Sequence, residues 1–139
     1  MIRLVLPLPP SVNRLFAPVS ANARRGARLC PTPEYIRWQW SAYAALCDHD
    51  YRSFQGAITG AYRARIFVSK DMRGDVDGRV KAALDVLVSH HITPDDKHCV
   101  SVLAERREDV AEGTCVVEIE PAETLVASAG AKGIGGGAP

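Results

Sequence analysis

The stretch Lys70–Asp96, KDMRGDVDGRVKAALDVLVSHHITPDD, decides how the rest of the chain is organised. Its apolar residues recur at helical spacing and form a single stripe on a helix that ends near Ser89. This stripe consists of Val80, Ala83, Leu84, Leu87 and Val88. Asp77, Lys81 and Asp85 are spaced four residues apart, so they stack on one face of the same helix.

Acidic pairs flank this predicted helix at both ends. Asp75 and Asp77 precede it, and Asp95 and Asp96 follow it in a predicted turn. Mg²⁺ binds through one or two carboxylates and keeps several waters. The acidic pairs therefore predict a divalent-metal site with Lys81 beside it.

The same polar residues also admit a purely structural interpretation. Asp77 is a favoured type of helix N-cap, because its carboxylate can accept an unpaired backbone N–H. Lys81 and Asp85 can form an ordinary surface ion pair, which contributes little to stability. Asp95 and Asp96 are typical turn residues. Sequence spacing alone leaves both interpretations open.

The length and charge of the chain indicate one globular domain without a strongly basic character. Its 139 residues suit one domain, and its formal net charge is only +1. The charge distribution is more informative, because Ser11–Cys30 contains four arginines and no acid. Basic residues around an acidic pocket suit a polyanion held against a metal site, and a mixed solvated surface explains the charges as well. The basic residues are Arg14, Arg24, Arg25 and Arg28 in that segment, and Arg63, Arg65, Lys70, Arg73, Arg79 and Lys81 around the Asp pair.

The cysteines and the absence of targeting signals predict a cytoplasmic protein. Cys30, Cys47, Cys99 and Cys115 show no C-x-x-C spacing, so we expect them to be reduced. No segment resembles a signal peptide or a membrane span. His90, His91, His98 and Cys99 match no zinc-binding pattern.

The hydrophobic patterns outside the central helix predict an α+β fold. We expect a single small domain over residues 1–121, with a mixed β-sheet of about four strands packed against two main helices. The predicted strands are Ile2–Leu6, Ala57–Val68, Val100–Glu105 and Thr114–Glu120, the last two forming a hairpin. The other helix begins after Thr32 and runs to about Asp48.

Two segments lack such patterns. Ala17–Pro31 has no clear periodicity and is predicted to be an exposed loop. Residues 122–139 are rich in Ala and Gly and are predicted to be a disordered tail.

The segment Pro7–Arg14, PLPPSVNR, is predicted to be rigid because proline fixes its backbone. It is either a stiff connector or a loop that presents Asn13 and Arg14 to a phosphate backbone. Trp38 and Trp40 point in different directions on the predicted helix, so at least one lies outside the core. Core or interface packing is favoured for them over base stacking.

The order of these motifs resembles the RusA family of Holliday junction resolvases. The motif P-x-P-P-S-x-N-R is followed by D-x-D at Asp75 and Asp77, by Lys81 four residues on, and by a second Asp pair. The resemblance covers about residues 2 to 120. It implies a RusA-like fold and a homodimeric, Mg²⁺-dependent endonuclease. Such enzymes cut four-way DNA junctions symmetrically and leave 5′-phosphate and 3′-hydroxyl ends.

The resemblance also implies roles for individual residues. Asp75, Asp77 and Asp96 correspond to the metal-binding aspartates of the family, and Lys81 corresponds to its catalytic lysine. Gly78 stands where the family motif has Asn, and Phe16 stands where it has Tyr. Together with the basic residues, this predicts DNA contacts at Asn13, Arg14, Arg24, Arg25, Lys70 and Arg73.

Two other functions remain open from the sequence. One is a branched-DNA-binding dimer with weak or no catalysis, because Gly78 removes a side chain beside the predicted site. The other is a metal-dependent enzyme acting on small phosphorylated molecules, which would not need the Arg-rich segment.

Overall fold

A computed structural model describes residues 1–22 and 26–122 of the chain. The strands are β1 (Ile2–Pro7), β2 (Phe16–Asn22), β3 (Gly26–Pro31), β4 (Tyr62–Ser69), β5 (Cys99–Arg107) and β6 (Thr114–Pro121). The helices are α1 (Pro33–Asp48) and α2 (Val80–Ser89), and short 3₁₀ turns lie at Val12–Arg14, Tyr51–Phe54, Asp77–Arg79 and Asp96–His98. Within these residues no helix is long and apolar enough to cross a bilayer. The predicted tail lies outside the described residues, apart from Ala122.

A mixed four-stranded sheet in the order β1-β6-β4-β5 forms the centre of the fold. β4 pairs antiparallel with β6 and parallel with β5, and β1 pairs antiparallel with β6. Parallel neighbours need a crossover connection, which α2 supplies between β4 and β5. The predicted α+β fold, with a mixed sheet of about four strands and two main helices, is confirmed.

The predicted hairpin of the last two strands is wrong, because β4 lies between β5 and β6. Tyr62, Ala64, Ile66 and Val68 of β4 are almost completely buried. This burial agrees with the position of β4 in the sheet, where it has a neighbouring strand on each side. The connection over residues 108–113 must then cross two strand spacings, about 10 Å, which an extended chain of that length spans easily.

A second, two-stranded sheet replaces the exposed loop that was predicted for Ala17–Pro31. β2 and β3 pair antiparallel, with Phe16 opposite Pro31 and Ala17 opposite Cys30. A two-stranded ladder is formed by backbone hydrogen bonds and does not require an alternating side-chain pattern, so these strands could not be recognised from hydrophobic periodicity. Arg24 and Arg25 lie outside the described residues.

The hydrophobic core lies between the helices and one face of the four-stranded sheet. The helices contribute Trp38 and Leu46 from α1 and Ala83 and Leu87 from α2, which pack in one cluster with inward-facing residues of β1, β4 and β6. The opposite face of the sheet carries charged pairs, such as Arg65 Nε and Glu118 Oε1 at 3.3 Å. The predicted catalytic Lys81 lies on α2, which packs on the face of the sheet opposite to these charged pairs.

The start of α1 anchors the proline-rich segment. Thr32 caps the helix, as predicted, by accepting the Tyr35 N–H at 3.1 Å, and its hydroxyl donates to the Arg14 carbonyl at 2.7 Å. The indole Nε1–H of Trp38 donates to the Pro7 carbonyl at 2.9 Å. Both ends of the segment 7–14 are thus hydrogen-bonded to α1 or its cap.

Candidate functional site

The loop that leads from β4 to Asp75 is held by an arginine from the neighbouring strand. Arg106, on β5, donates to the backbone carbonyls of Lys70 at 3.3 Å, Met72, and Gly74 at 2.8 Å. One guanidinium can serve several acceptors because its N–H groups are fixed in a fork. The backbone on which Asp75 stands is therefore constrained from the β5 side.

A second arginine, Arg79, connects this loop to the proline-rich segment. It is only 8% exposed and donates to the Pro9 carbonyl at 2.6 Å and the Arg73 carbonyl at 3.0 Å. Burial lowers the pKa of Arg79, and the nearby Arg14 acts in the same direction. Arg79 is thus a structural clamp rather than an exposed contact for a polyanion.

Gly74 is required where these two clamps meet. Its φ angle is +94°, a conformation that other residues rarely adopt. A Cβ at this position would also lie 3.4 Å from an Arg79 guanidinium nitrogen. A side chain at position 74 would therefore strain the backbone just before Asp75.

Gly78 lies against the proline-rich segment. A Cβ at position 78 would lie 3.7 Å from Ser11 Oγ and 3.9 Å from the Val12 nitrogen, which is ordinary contact. Ser11 Oγ also accepts the Asn13 N–H at 3.4 Å and so begins the turn that carries Asn13. The fold thus brings the D-x-D motif and the PLPPSVNR motif together, and position 78 has room for the first atom of a larger side chain.

The carboxylates of Asp75 and Asp77 are both exposed. The capping interpretation of Asp77 does not hold, because Val76 precedes the 3₁₀ turn and no side-chain cap bond forms there. Among the ion pairs formed within residues 1–22 and 26–122, none includes Asp75, Asp77 or Asp96. These aspartates are therefore not engaged by a described cationic side chain.

Lys81 and Asp85 form the ion pair that their spacing predicted. Lys81 Nζ lies 3.3 Å from Asp85 Oδ2, and both side chains are partly exposed. Such a pair contributes only a few tenths of a kcal/mol. The geometry matches the surface-pair interpretation.

Asp96 belongs to the same charged patch. The pKa of Asp96 is raised, first by its hydrogen bond with Asp95, then by burial and by the charges of Asp95 and Asp85, while Lys81 acts in the opposite direction. The second Asp pair is thus electrostatically coupled to the Lys81–Asp85 pair of α2. Asp85 was not among the predicted metal ligands, although its helical spacing from Lys81 already placed it on this face.

Asp95 has a local structural role. Its carboxylate accepts the Lys97 N–H at 3.2 Å and caps the 3₁₀ turn that begins at Asp96. This hydrogen bond is the main reason that the pKa of Asp95 is lowered. The turn predicted to carry Asp95 and Asp96 is confirmed. Of the two carboxylates, that of Asp95 accepts the Lys97 N–H.

The predicted metal ligands have the right chemistry for Mg²⁺ but are not gathered into one group. Carboxylate oxygens are the donors that this hard cation prefers, and one or two of them suffice when waters complete the shell. Within the described part of the chain, no three His, Cys, Asp or Glu side chains lie close enough together to hold an ion. Asp75, Asp77 and Asp96 therefore fit Mg²⁺ by donor type, and along the chain Asp75 and Asp77 precede α2 whereas Asp96 follows it.

The predicted DNA-contacting residues that the structure describes are exposed. Asn13 and Arg14 lie on the 3₁₀ turn after the prolines, and Lys70 and Arg73 lie on the loop before Asp75. Arg14 is 3.9 Å from Glu34 and Lys70 is 3.9 Å from Glu108. Exposed pairs at this distance are weak, so these cations remain able to exchange their partners for phosphates.

A scan against protein-family models and a search of curated proteins found no match to this chain. The roles of individual residues therefore depend on the motifs of the sequence and on the contacts described above.

Proposed function

We propose that this protein is a Mg²⁺-dependent endonuclease that resolves four-way DNA junctions, in line with its resemblance to the RusA family. One observation carries the proposal: three motifs that are distant in sequence meet around α2. Position 78 lies against Ser11, and Asp96 is coupled to the Lys81–Asp85 pair. The Asp pairs flank α2 along the chain, so the approach of the proline-rich segment to position 78 is the contact that the order of the sequence does not require.

Each residue has a defined task in the proposed reaction. Mg²⁺, when bound, neutralises the scissile phosphate and makes its bound water more acidic. Asp75, Asp77 and Asp96 would supply the carboxylates to hold it. Lys81, which is paired with Asp85, stabilises the negative charge that develops on the phosphate.

The exposed cations on both sides of the D-x-D motif orient the DNA. Asn13 and Arg14 approach from the proline-rich segment, and Lys70 and Arg73 approach from the loop after β4. Phosphate contacts of this kind fix the register of the backbone without reading its sequence. Arg79 and Arg106 act through the backbone and hold both supporting segments.

The proposed activity requires two copies of the chain. Resolution needs two opposed cuts, whereas one chain offers one such site. A twofold-symmetric dimer presents two equivalent sites, which matches the approximate symmetry of a four-way junction. We therefore propose a homodimer as the active form.

The test is cleavage of a synthetic four-way junction, compared with a linear duplex that contains the same arm sequences. We expect Mg²⁺-dependent paired cuts in the junction only, with ends that DNA ligase rejoins, and no cutting in EDTA. Equal cutting of junction and duplex would contradict junction specificity. Products that ligase cannot seal would contradict the proposed end chemistry.

A second candidate, a branched-DNA-binding dimer without cleavage, is favoured by one observation. The predicted ligands are not gathered into a single group within the described residues. Tight gel-shift binding to the junction, with intact strands after prolonged incubation in Mg²⁺ or Mn²⁺, would support this candidate over the nuclease.

A further inference from the structure

The outer side of α1 carries an exposed aromatic pocket that the proposed cleavage chemistry does not use. Trp40 is 69% exposed, whereas Trp38 on the other side of the helix is buried in the core. A cavity of about 480 Å³ lies beside Trp40 and is lined by Gln39, Trp40, Tyr43 and His90. This volume is within the range of sites that bind small organic groups.

The rings that form the wall of the pocket are fixed from behind. Tyr43 and His90 stack with centroids 5.4 Å apart and planes 19° apart. The buried Tyr51 packs edge-on against both, at 6.2 Å and 5.3 Å. Trp40 meets Tyr43 edge-to-face at 6.3 Å, and most of its indole remains open to solvent. The pocket therefore has a preformed aromatic wall and one large ring free to take a partner.

The polar groups around the pocket suit a nucleobase better than an aliphatic side chain. Gln39, the Tyr43 hydroxyl and the His90 ring can each form hydrogen bonds with a base edge. Burial and the neighbouring His91 lower the pKa of His90, so its ring is neutral near pH 7. Arg52 is the cationic neighbour that acts on Tyr43, and its positive charge favours the approach of a polyanion.

The pocket adjoins the proposed cleavage site through Tyr35. Gln39, which lines the pocket, lies one helical turn after Tyr35 on α1, and its side chain lowers the pKa of the Tyr35 hydroxyl. Burial raises the pKa of Tyr35, Asp85 raises it further, and Lys81 acts in the opposite direction. Tyr35 is thus influenced both by a residue of the pocket and by the Lys81–Asp85 pair.

We propose that Trp40 stacks on an unpaired nucleobase of the DNA, with Gln39, Tyr43 and His90 lining the space beside that base. The inference rests on the proposed function for the identity of the nucleic acid and adds a binding site to it. Stacking on an exposed aromatic ring tolerates every base, because every base has a π-face. Trp40 would therefore hold a strand that has left its duplex at a branch point without reading its sequence.

The experiment measures binding in EDTA, so that it does not depend on cleavage. The probes are oligo(dT) and a four-way junction, and the readouts are affinity and the fluorescence of the chain's two tryptophans. Trp40→Ala and Trp40→Phe are compared with Ile36→Ala, because Ile36 is exposed on the same helix and does not line the pocket. Sedimentation of each variant gives its oligomeric state.

We expect oligo(dT) to quench the fluorescence of the wild type but not the remaining Trp38 signal of Trp40→Phe. Trp40→Ala should bind both probes about 5- to 150-fold more weakly, Trp40→Phe should lose less, and Ile36→Ala should bind normally. Wild-type affinity of Trp40→Ala for both probes would overturn the inference, and it would leave the proposed function intact if the junction is still cut. Conversion of Trp40→Ala from dimer to monomer would also overturn it, because the pocket would then be a contact between copies of the chain. Quenching by oligo(dT) in a protein that cuts no junction would support the inference and contradict the proposed function.

Discussion

Replacement of Arg79 by Met should strongly destabilise the protein, although the residue looks like an ordinary surface cation in the sequence. The guanidinium is 8% exposed and donates to the carbonyls of Pro9 and Arg73. Met preserves much of the packing of the side-chain stem and removes both donors. The change therefore isolates the hydrogen bonds that join the proline-rich segment to the D-x-D loop.

The size of the effect follows from these two bonds. Hydrogen bonds to a charged group contribute about 1.5–3 kcal/mol each. The hydrogen bond to Pro9 is buried, so its loss should cost the full amount. Arg73 is exposed, so its carbonyl can form a hydrogen bond with water instead. The expected loss in the free energy of unfolding is therefore about 2–4 kcal/mol. For a domain of this size this corresponds to a fall in melting temperature of about 6–20 °C.

The assay is urea and thermal unfolding, with Arg73→Met as the matched control. Arg73 lies on the same loop with an exposed side chain, so its replacement should change stability by no more than about 0.5 kcal/mol. Arg79→Lys should fall between the wild type and Arg79→Met, because an ammonium cannot reproduce the planar fork. Melting temperatures of Arg79→Met and Arg73→Met within about 2 °C of each other would refute the clamp.

Two further predictions concern Lys81 and Cys115. Lys81→Ala and Lys81→Arg should keep the stability and most of the junction affinity of the wild type, because the Lys81–Asp85 pair is exposed. Both variants should cut the junction about 10²–10³-fold more slowly than the wild type. Full cleavage activity of Lys81→Ala would show that Lys81 only forms a surface ion pair. Burial raises the pKa of Cys115 to about 12, so the unfolded chain loses this proton first and stability falls as pH rises above about 9. Urea titrations should show that the wild type loses about 1–2 kcal/mol more than Cys115→Ala between pH 8 and pH 10, and equal losses would show that this thiol is not buried in solution.

The elements that are encoded locally were predictable from the sequence. Thr32, Pro33 and Glu34 carry the signals of a helix start, and α1 begins there with the expected cap. The apolar stripe of the central helix was largely predictable because its period is set by neighbouring residues. Ala83, Leu84 and Leu87 are buried as expected, whereas Val80 and Val88 are only partly buried, and Ala82 and Val86 are buried in addition. The element types that make up the α+β fold follow from such local patterns.

Features that depend on distant partners were not predictable. The parallel pairing of β4 with β5 excludes the hairpin that the short connection before β6 suggested. The strand–helix–strand order β4–α2–β5 was the one feature of the sequence that indicated parallel pairing of β4 and β5, because a crossover helix usually joins parallel neighbours. Arg79 and Arg106 donate hydrogen bonds to backbone carbonyls. Every residue has a carbonyl, so these partners cannot be identified from the sequence. The acidic and basic residue types of the candidate site were visible in the sequence, and the supports that position them were not.

The most direct test of the proposed cleavage site is single-turnover cutting of a four-way junction by Asp75→Asn, with Asp71→Asn as the control. Both aspartates are exposed on the same loop, and only Asp75 belongs to the D-x-D motif. Asn has nearly the same shape as Asp but lacks the charge that holds a divalent cation, and the smaller negative charge reduces repulsion of phosphates. We expect Asp75→Asn to bind the junction at least as tightly as the wild type without cutting it, and Asp71→Asn to cut normally. Cutting by Asp75→Asn at the wild-type rate in Mg²⁺ would contradict the assignment of this site.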